Sequence, residues 1–139
     1  MTKIGARVQN SQDNHLVTLR TNERVQTLDI PVKEDGFGSS INGGELLFLA
    51  LATCYCNDIY REAARRRIVI ESVEVDVEGD FGLEGVPARN VTYRARIAAH
   101  ATDADIRELM RYTDQMAEIQ NTLRIETPVV LNAIEVVSL

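Results

Sequence analysis

The chain has 139 residues, of which 45% are hydrophobic and 26% charged, the composition of one soluble domain spanning 1–139 with a single sizeable core. A formal charge of −6 speaks against nucleic acid as a partner, because that binding needs a basic surface to displace counterions. The start Met1-Thr2-Lys3-Ile4-Gly5 has no apolar run behind a basic segment, so neither a secretory signal nor a membrane anchor is expected, and the default location is cytoplasmic.

The first thirty residues have the pattern of short strands. Ile4 to Val8 is followed by a turn over Asn10 to Asn14, Leu16 to Arg20 by a turn over Thr21 to Glu23, and Val25 to Ile30 is closed by Pro31. The Asn and Asp residues of these turns tolerate left-handed backbone and bond to their own chain, which predicts a meander. Lys33 to Ile41 contains two glycines and two serines and reads as an exposed loop.

A helix is predicted from about Gly43. Asn42 and Glu45 have the spacing of a reciprocal cap, in which each side chain satisfies a backbone donor left unpaired by the first turn. The following run, Leu46-Leu47-Phe48-Leu49-Ala50-Leu51-Ala52-Thr53-Cys54-Tyr55-Cys56, is too short for a bilayer span, which takes about 20 residues. It is apolar on every side, so other protein must surround it, and one sheet covers only one side. An obligate homodimer with crossed central helices is the expected solution. The helix ends in Arg65-Arg66-Arg67, where positive charge meets the negative end of its dipole.

From Ile68 the residues Val73, Val75 and Val77 alternate with Glu74, Asp76 and Glu78, which reads as a strand with one wet face. A loop over Gly79 to Ala88 leads to a second strand with Val91, Tyr93, Ala95 and Ile97 inward and Arg94 and Arg96 outward, placed to face the acids if the strands pair antiparallel. Thr102 to Asp105 caps a helix with Ile106, Leu109, Met110, Thr113, Met116 and Ala117 on one stripe. A short segment from Ile119 to Leu123 precedes two further predicted strands, around Arg124 to Ile125 and Ile134 to Val137, with Pro128 between them. The order is α+β, strands packed on two helices.

Both cysteines lie on the central helix. At i and i+2 they point about 200° apart, so they do not pair with each other. Cys54 is the candidate nucleophile, with a buried, inert thiol as the plainer alternative. It sits beyond the first helical turn, so it needs an arginine or similar partner to lower its pKa. Asp58 and Arg61 lie on its face; Arg61 is a possible cationic neighbour, and an Asp58–Arg61 ion pair is the simpler account. Tyr55, Tyr60 and Tyr112 are read as core or interface residues. No cofactor is implied. A metal at Cys54 and Cys56 lacks further ligands, since His15 and His100 fall in a turn and at a strand end.

Two stretches resemble the OsmC/Ohr family, the osmotically inducible and organic hydroperoxide resistance proteins. Gly43 to Cys54 is similar to the family's Pro-x-Glu-Leu-Leu run into a helical cysteine, and Ala117-Glu118-Ile119-Gln120-Asn121-Thr122-Leu123 to its second signature, Cys-Pro-x-Ser-x-Thr-Leu. The resemblance implies an α+β OsmC-like fold with antiparallel sheets, two helices, and the long central helix at an intertwined dimer interface. It implies an oxidative stress function in which Cys54 attacks a small peroxide, with Glu45 and an arginine assisting and an external thiol as reductant, or in which Cys54 serves as a peroxide sensor.

The departures from the family matter as much. The second cysteine falls on Ala117 and its proline on Glu118, so an internal disulfide is impossible. The acid often found before Glu45 is Gly44, and the turn from Gln9 to Asn14 lacks the family's arginine. Arg24 is carried as the candidate, with Arg7 and Arg20 as alternatives. Glu45 to Cys54 is roughly 13 Å along one helix, so contact between them would have to come from the other subunit. The competing expectation is a non-catalytic dimeric module that holds a small apolar ligand at the subunit interface.

Overall fold

The computed structural model describes all residues from Met1 to Leu139. By contacts it forms two compact units, Met1–Leu47 and Phe48–Leu139. The first unit is a meander of β1 (Ile4–Ser11), β2 (Asn14–Thr21) and β3 (Arg24–Leu28) in the order β1-β2-β3, antiparallel throughout. Its two hairpin turns carry the residues the sequence marks for them: Asp13 at φ 58° and Asn22 at φ 51°. The Asp13 amide also donates to the carbonyl of Gly36 at 2.7 Å, which fastens the glycine-containing loop to the hairpin.

The long helix α1 runs from Gly43 to Arg65. Its start is the reciprocal cap: the Glu45 amide donates to Asn42 Oδ1 at 2.8 Å and the Asn42 amide to Glu45 Oε1 at 3.1 Å. Its end is a Schellman turn, with the Ile68 amide donating to the Ala63 carbonyl at 2.9 Å and the Arg67 amide to the Ala64 carbonyl at 3.2 Å. Arg67 closes this turn at φ 56°, where glycine is the usual residue. Near the same end the buried carboxylate of Glu62 is satisfied by Arg65 at 2.8 Å and Arg61 at 3.2 Å. Arg66 lies over the ring of Tyr112, 4.6 Å from its centre.

Strands β4 (Val69–Asp80) and β5 (Arg89–His100) form a two-stranded antiparallel sheet. The register opposes Glu74 to Arg96 and Asp76 to Arg94, as the alternation predicts. The register shifts between Glu78 and Asp80, leaving Gly79 unpaired, and β4 therefore runs further than the predicted loop boundary. Val91 is 41% exposed, whereas Tyr93, Ala95 and Ile97 pack inward.

After the sheet come α2 (Asp103–Met116) and α3 (Glu118–Arg124). Thr102 caps α2 by accepting from the Asp105 amide at 3.1 Å, and the extended backbone of buried Ala117 separates the two helices. The core of this unit is Tyr55, Ile59, Ala63 and Leu109, covered by Ile70, Val73, Val75, Ala95 and Ile97 of the sheet. So the second half of α1 is a core helix, held between α2 and the sheet.

The architecture is α+β as expected, with three helices and two small antiparallel sheets; the short segment after Ala117 is the third helix. The apolar first half of α1 stays partly uncovered within one chain, in line with its all-round apolar pattern: Leu49 is 57% exposed, and Leu46, Leu47 and Phe48 are only half-buried. One expectation needs correction: the predicted strands at Arg124–Ile125 and Ile134–Val137 do not form. Arg124 ends α3, and residues 125–139 have no regular structure, because a strand needs a hydrogen-bonded neighbour and this segment has none. No helix is long and apolar enough to cross a membrane.

Candidate functional site around Cys54

One face of α1 carries Cys54, Asp58 and Arg61, spaced so that they stack one turn above another. The start of α3 is brought over them by bonds between residues well apart in sequence. Gln120, buried, donates through Nε2 to the Leu51 carbonyl of α1 at 2.9 Å. Arg124 reaches back to α2, binding the Asp114 carboxylate at 2.7 Å and its carbonyl at 3.0 Å. Asp114 in turn accepts from the hydroxyl of Tyr93 on β5. Gln120 and Arg124 thus fasten α3 to α1 and α2, and Asp114 ties α2 to the sheet.

The result is a cluster. The Cys54 thiol is within 3.7 Å of Asp58 Oδ2 and 3.8 Å of Glu118 Oε2. Arg61 binds Asp58 Oδ1 at 2.9 Å and reaches Glu118 Oε1 at 3.7 Å. Asp58 is buried, with 7% of its side chain exposed, while the Glu118 side chain is 66% exposed. Cys54, Asp58 and Glu118 are also the residues with donor atoms for a metal, all within 4.8 Å of one another. The positive charge that pairs with both carboxylates in this structure is the Arg61 guanidinium.

The electrostatics follow from this arrangement. Burial pushes the Cys54 thiol up, the Ile119 amide pulls partly against it, and the negative charges of Asp58 and Glu118 raise it further. Burial, with the charge of Glu118, also raises Asp58 against the opposing pull of Arg61. Glu118 is lowered, first by its own backbone amide and then by Asp58 and Arg61, despite some burial. At neutral pH Cys54 is therefore a protonated thiol beside two carboxyl groups.

The sequence-derived candidates divide. Cys54 sits in this cluster and the predicted Asp58–Arg61 pair forms. Arg61 reaches the carboxylates rather than standing as the cation beside the sulfur. Glu45 is engaged in the cap of α1, and it belongs with Arg24, Arg7 and Arg20 to the first unit, whereas Cys54 belongs to the second. Ala117, buried, stands where the resemblance places a second thiol. Sequence reasoning missed Glu118 as a neighbour of the sulfur. The i, i+4 spacing of Cys54 and Asp58 was visible, but the approach of Glu118 depends on tertiary bonds.

Cys56 faces the opposite way. Both cysteines are free, and Cys56 lines a depression of about 270 Å³ with Ala52, Thr53, Asn57, Val73 and Val75. A larger cleft of about 470 Å³ is lined by Tyr55, Tyr93, Met110 and Asp114. Tyr55 closes part of it, its hydroxyl donating to the Met110 carbonyl at 2.9 Å.

Residues 36–132 match the family model of the OsmC-like proteins. The chain belongs to the OsmC-like family. Among solved structures, an OsmC-like protein from Mycoplasma pneumoniae superposes with a TM-score of 0.60 at 21% identity, over 89% of this chain and 87% of that one. An OsmC-like protein of unknown function from Vibrio cholerae gives 0.61 at 15% identity, over 91% and 96%. An OsmC-like hydroperoxide resistance protein from a Jannaschia species gives 0.55 at 13% identity, over 95% and 93%. These likenesses establish the OsmC-like fold over nearly the whole chain. No curated protein matches it by sequence.

Proposed function

We propose that this OsmC-like protein is a cytoplasmic, homodimeric, thiol-dependent hydroperoxide reductase that works through Cys54. The sulfur attacks the terminal oxygen of ROOH, an S–O bond forms as the O–O bond breaks, and the products are a sulfenic acid and ROH. An external thiol displaces hydroxide from the sulfenic sulfur as water, and a second equivalent reduces the mixed disulfide. Ala117 removes the internal route to the same end. The observation that carries this reading is a half-buried thiol on the long helix in direct contact with proton-accepting groups. The hydroperoxide resistance proteins among the solved structures of this fold add to it.

The dimer is supported by area. The chain exposes 11204 Å². Two separate compact bodies with the lengths of the two units would expose about 8,600 Å². The surplus includes Leu49 on α1 and Val129, Val130, Leu131, Ile134, Val136 and Val137 in the last residues, each at 57% exposure or more. An excess of this size is what an obligate interface covers. In that assembly Glu45 and one of Arg7, Arg20 and Arg24 are the groups assigned to the partner's Cys54 site, with Arg24 the first choice.

The test is to treat the reduced protein with cumene hydroperoxide, trap with dimedone and weigh it intact. A sulfenic adduct confined to Cys54 is expected. Absence of both an adduct and a mixed disulfide with added thiol would remove the assignment. Light scattering should give about twice the chain mass, and a monomer would remove the assembly.

A second reading has its own observation. The raised thiol beside two acids and the cleft floored by Tyr55, Tyr93 and Met110 also suit a non-catalytic module that holds a small apolar ligand. Native mass spectrometry that finds such a molecule retained, together with an inert Cys54, would favour it.

A further inference from the structure

A thiol that is protonated at neutral pH reacts with a peroxide only if something takes its proton, and the alkoxide that leaves requires one. The hydrogen-bond geometry around Cys54 supplies a route for both. Its sulfur lies 3.7 Å from Asp58 Oδ2 and 3.8 Å from Glu118 Oε2, so the single S–H can be donated to either carboxyl group. The two carboxyl groups come from different helices and are joined on their far side by one guanidinium, Arg61, at 2.9 and 3.7 Å. One of them is buried and the other open to solvent. Within one chain the charged groups that face the sulfur are therefore Asp58 and Glu118, with Arg61 behind them, and the Ile119 amide is the remaining neighbour; the dimer reading adds Glu45 and an arginine from the other subunit.

We infer that Asp58 and Glu118 are a proton shuttle for Cys54: they accept the thiol proton as the sulfur attacks ROOH and return it to the departing RO⁻. The inference rests on the hydroperoxide reading. In the balanced step sulfur gives two electrons to the peroxide, S–O forms, O–O breaks, and the proton that leaves sulfur ends on ROH. Asp58, the buried carboxyl and the nearer to the sulfur, takes the proton. Glu118, open to solvent, passes it outward or back. Arg61 holds both carboxyl groups at the sulfur and keeps the pair from separating by mutual repulsion.

A purely electrostatic role for the pair makes the opposite prediction. Removing a negative charge beside a thiol lowers its pKa and increases the thiolate, so spectator carboxylates would slow Cys54, and their neutral variants would be faster.

The experiment compares D58N, E118Q and the double variant with the parent, all carrying C56S so that one thiol is observed. Cys54 ionisation is followed against pH by thiolate absorbance, and sulfenate formation with cumene hydroperoxide is followed by stopped flow. The expected result is a thiol that titrates lower in each variant yet reacts more slowly near neutral pH, by about 100-fold or more. Added formate should recover part of the rate in D58N. Variants that react as fast as the parent, or faster in step with their thiolate, overturn the shuttle. E118Q changes a largely exposed side chain and keeps the test decisive even if D58N folds poorly. If the parent itself forms no sulfenate while its thiolate titrates normally, the hydroperoxide reading fails and the shuttle with it. If the parent reacts and the variants speed up, only the shuttle fails.

Discussion

Glu118 places a carboxylate oxygen 3.8 Å from the sulfur of Cys54, and this residue stands where the OsmC/Ohr signature has proline. A proline there could offer neither charge nor proton acceptor. Its charge raises the Cys54 thiol, while its oxygen lies within reach of the thiol proton.

Because burial, Asp58 and Glu118 hold the Cys54 thiol above its ordinary value of 9.0, alkylation of Cys54 by iodoacetamide should be slow at pH 7. It should still be accelerating as the pH passes 9. The measurement is the rate of mass gain at Cys54 across pH 6 to 10 in a C56S background. A plateau below pH 8 would contradict the arrangement.

Asp114 gives a prediction at the acid end. Burial raises it, but the Tyr93 hydroxyl and Arg124 outweigh burial and leave its carboxyl below the usual value of 3.8. A group with a depressed folded pKa stabilises the protein above its unfolded value, and that contribution is lost as the pH falls through the folded one. D114N should therefore cost stability at pH 7, about 1 kcal/mol given the 43% exposure of the side chain. The difference from the parent should shrink below about pH 4. Urea denaturation at pH 7 and pH 3 reads both.

Arg67 at φ 56° closes the Schellman turn of α1, a conformation that costs a side-chain-bearing residue about 1 kcal/mol. Arg67→Gly should stabilise the protein by roughly 0.5–1 kcal/mol, seen as a higher denaturation midpoint with unchanged slope. Arg67 makes no ion pair, so little is lost in exchange.

Gly79 gives the opposite sign. A Cβ there would lie 2.9 Å from Phe48 Cζ, 3.1 Å from Val91 Cγ2 and 3.3 Å from the Arg89 carbonyl. The ring can turn, but the carbonyl of the paired strand cannot, so Gly79→Ala should cost about 1–3 kcal/mol. Calorimetry would show it as a lower Tm.

What was legible in the sequence was local. Asn42 and Glu45 are three residues apart, and their cap forms from that spacing alone. Asp58 and Arg61 pair for the same reason, and Val73, Val75 and Val77 reveal the buried face of β4 through the period of a strand. Glu118 was not legible as a neighbour of Cys54. Its position is set by the bond of Gln120 to Leu51, 69 residues away, and by Arg124 reaching Asp114. The segment from Ile134 to Val137 has the composition of a strand, but composition supplies only half of a ladder; the other half is a neighbour with free backbone groups.

The bare segment at the end of the chain has a consequence for its handling. From Ile125 to Leu139 the charged side chains are Glu126 and Glu135 alone, and the apolar stretches Val129 to Leu131 and Ile134 to Val137 are broken mainly by Pro128, Asn132 and Ala133. Such ribbons stack on one another into cross-β aggregates unless flanking charge and proline prevent it. Glu135, set between Ile134 and Val136, acts as gatekeeper. Neutralising it should leave the Cys54 chemistry untouched and lower the yield of soluble protein, so that the fault shows during expression rather than in an assay.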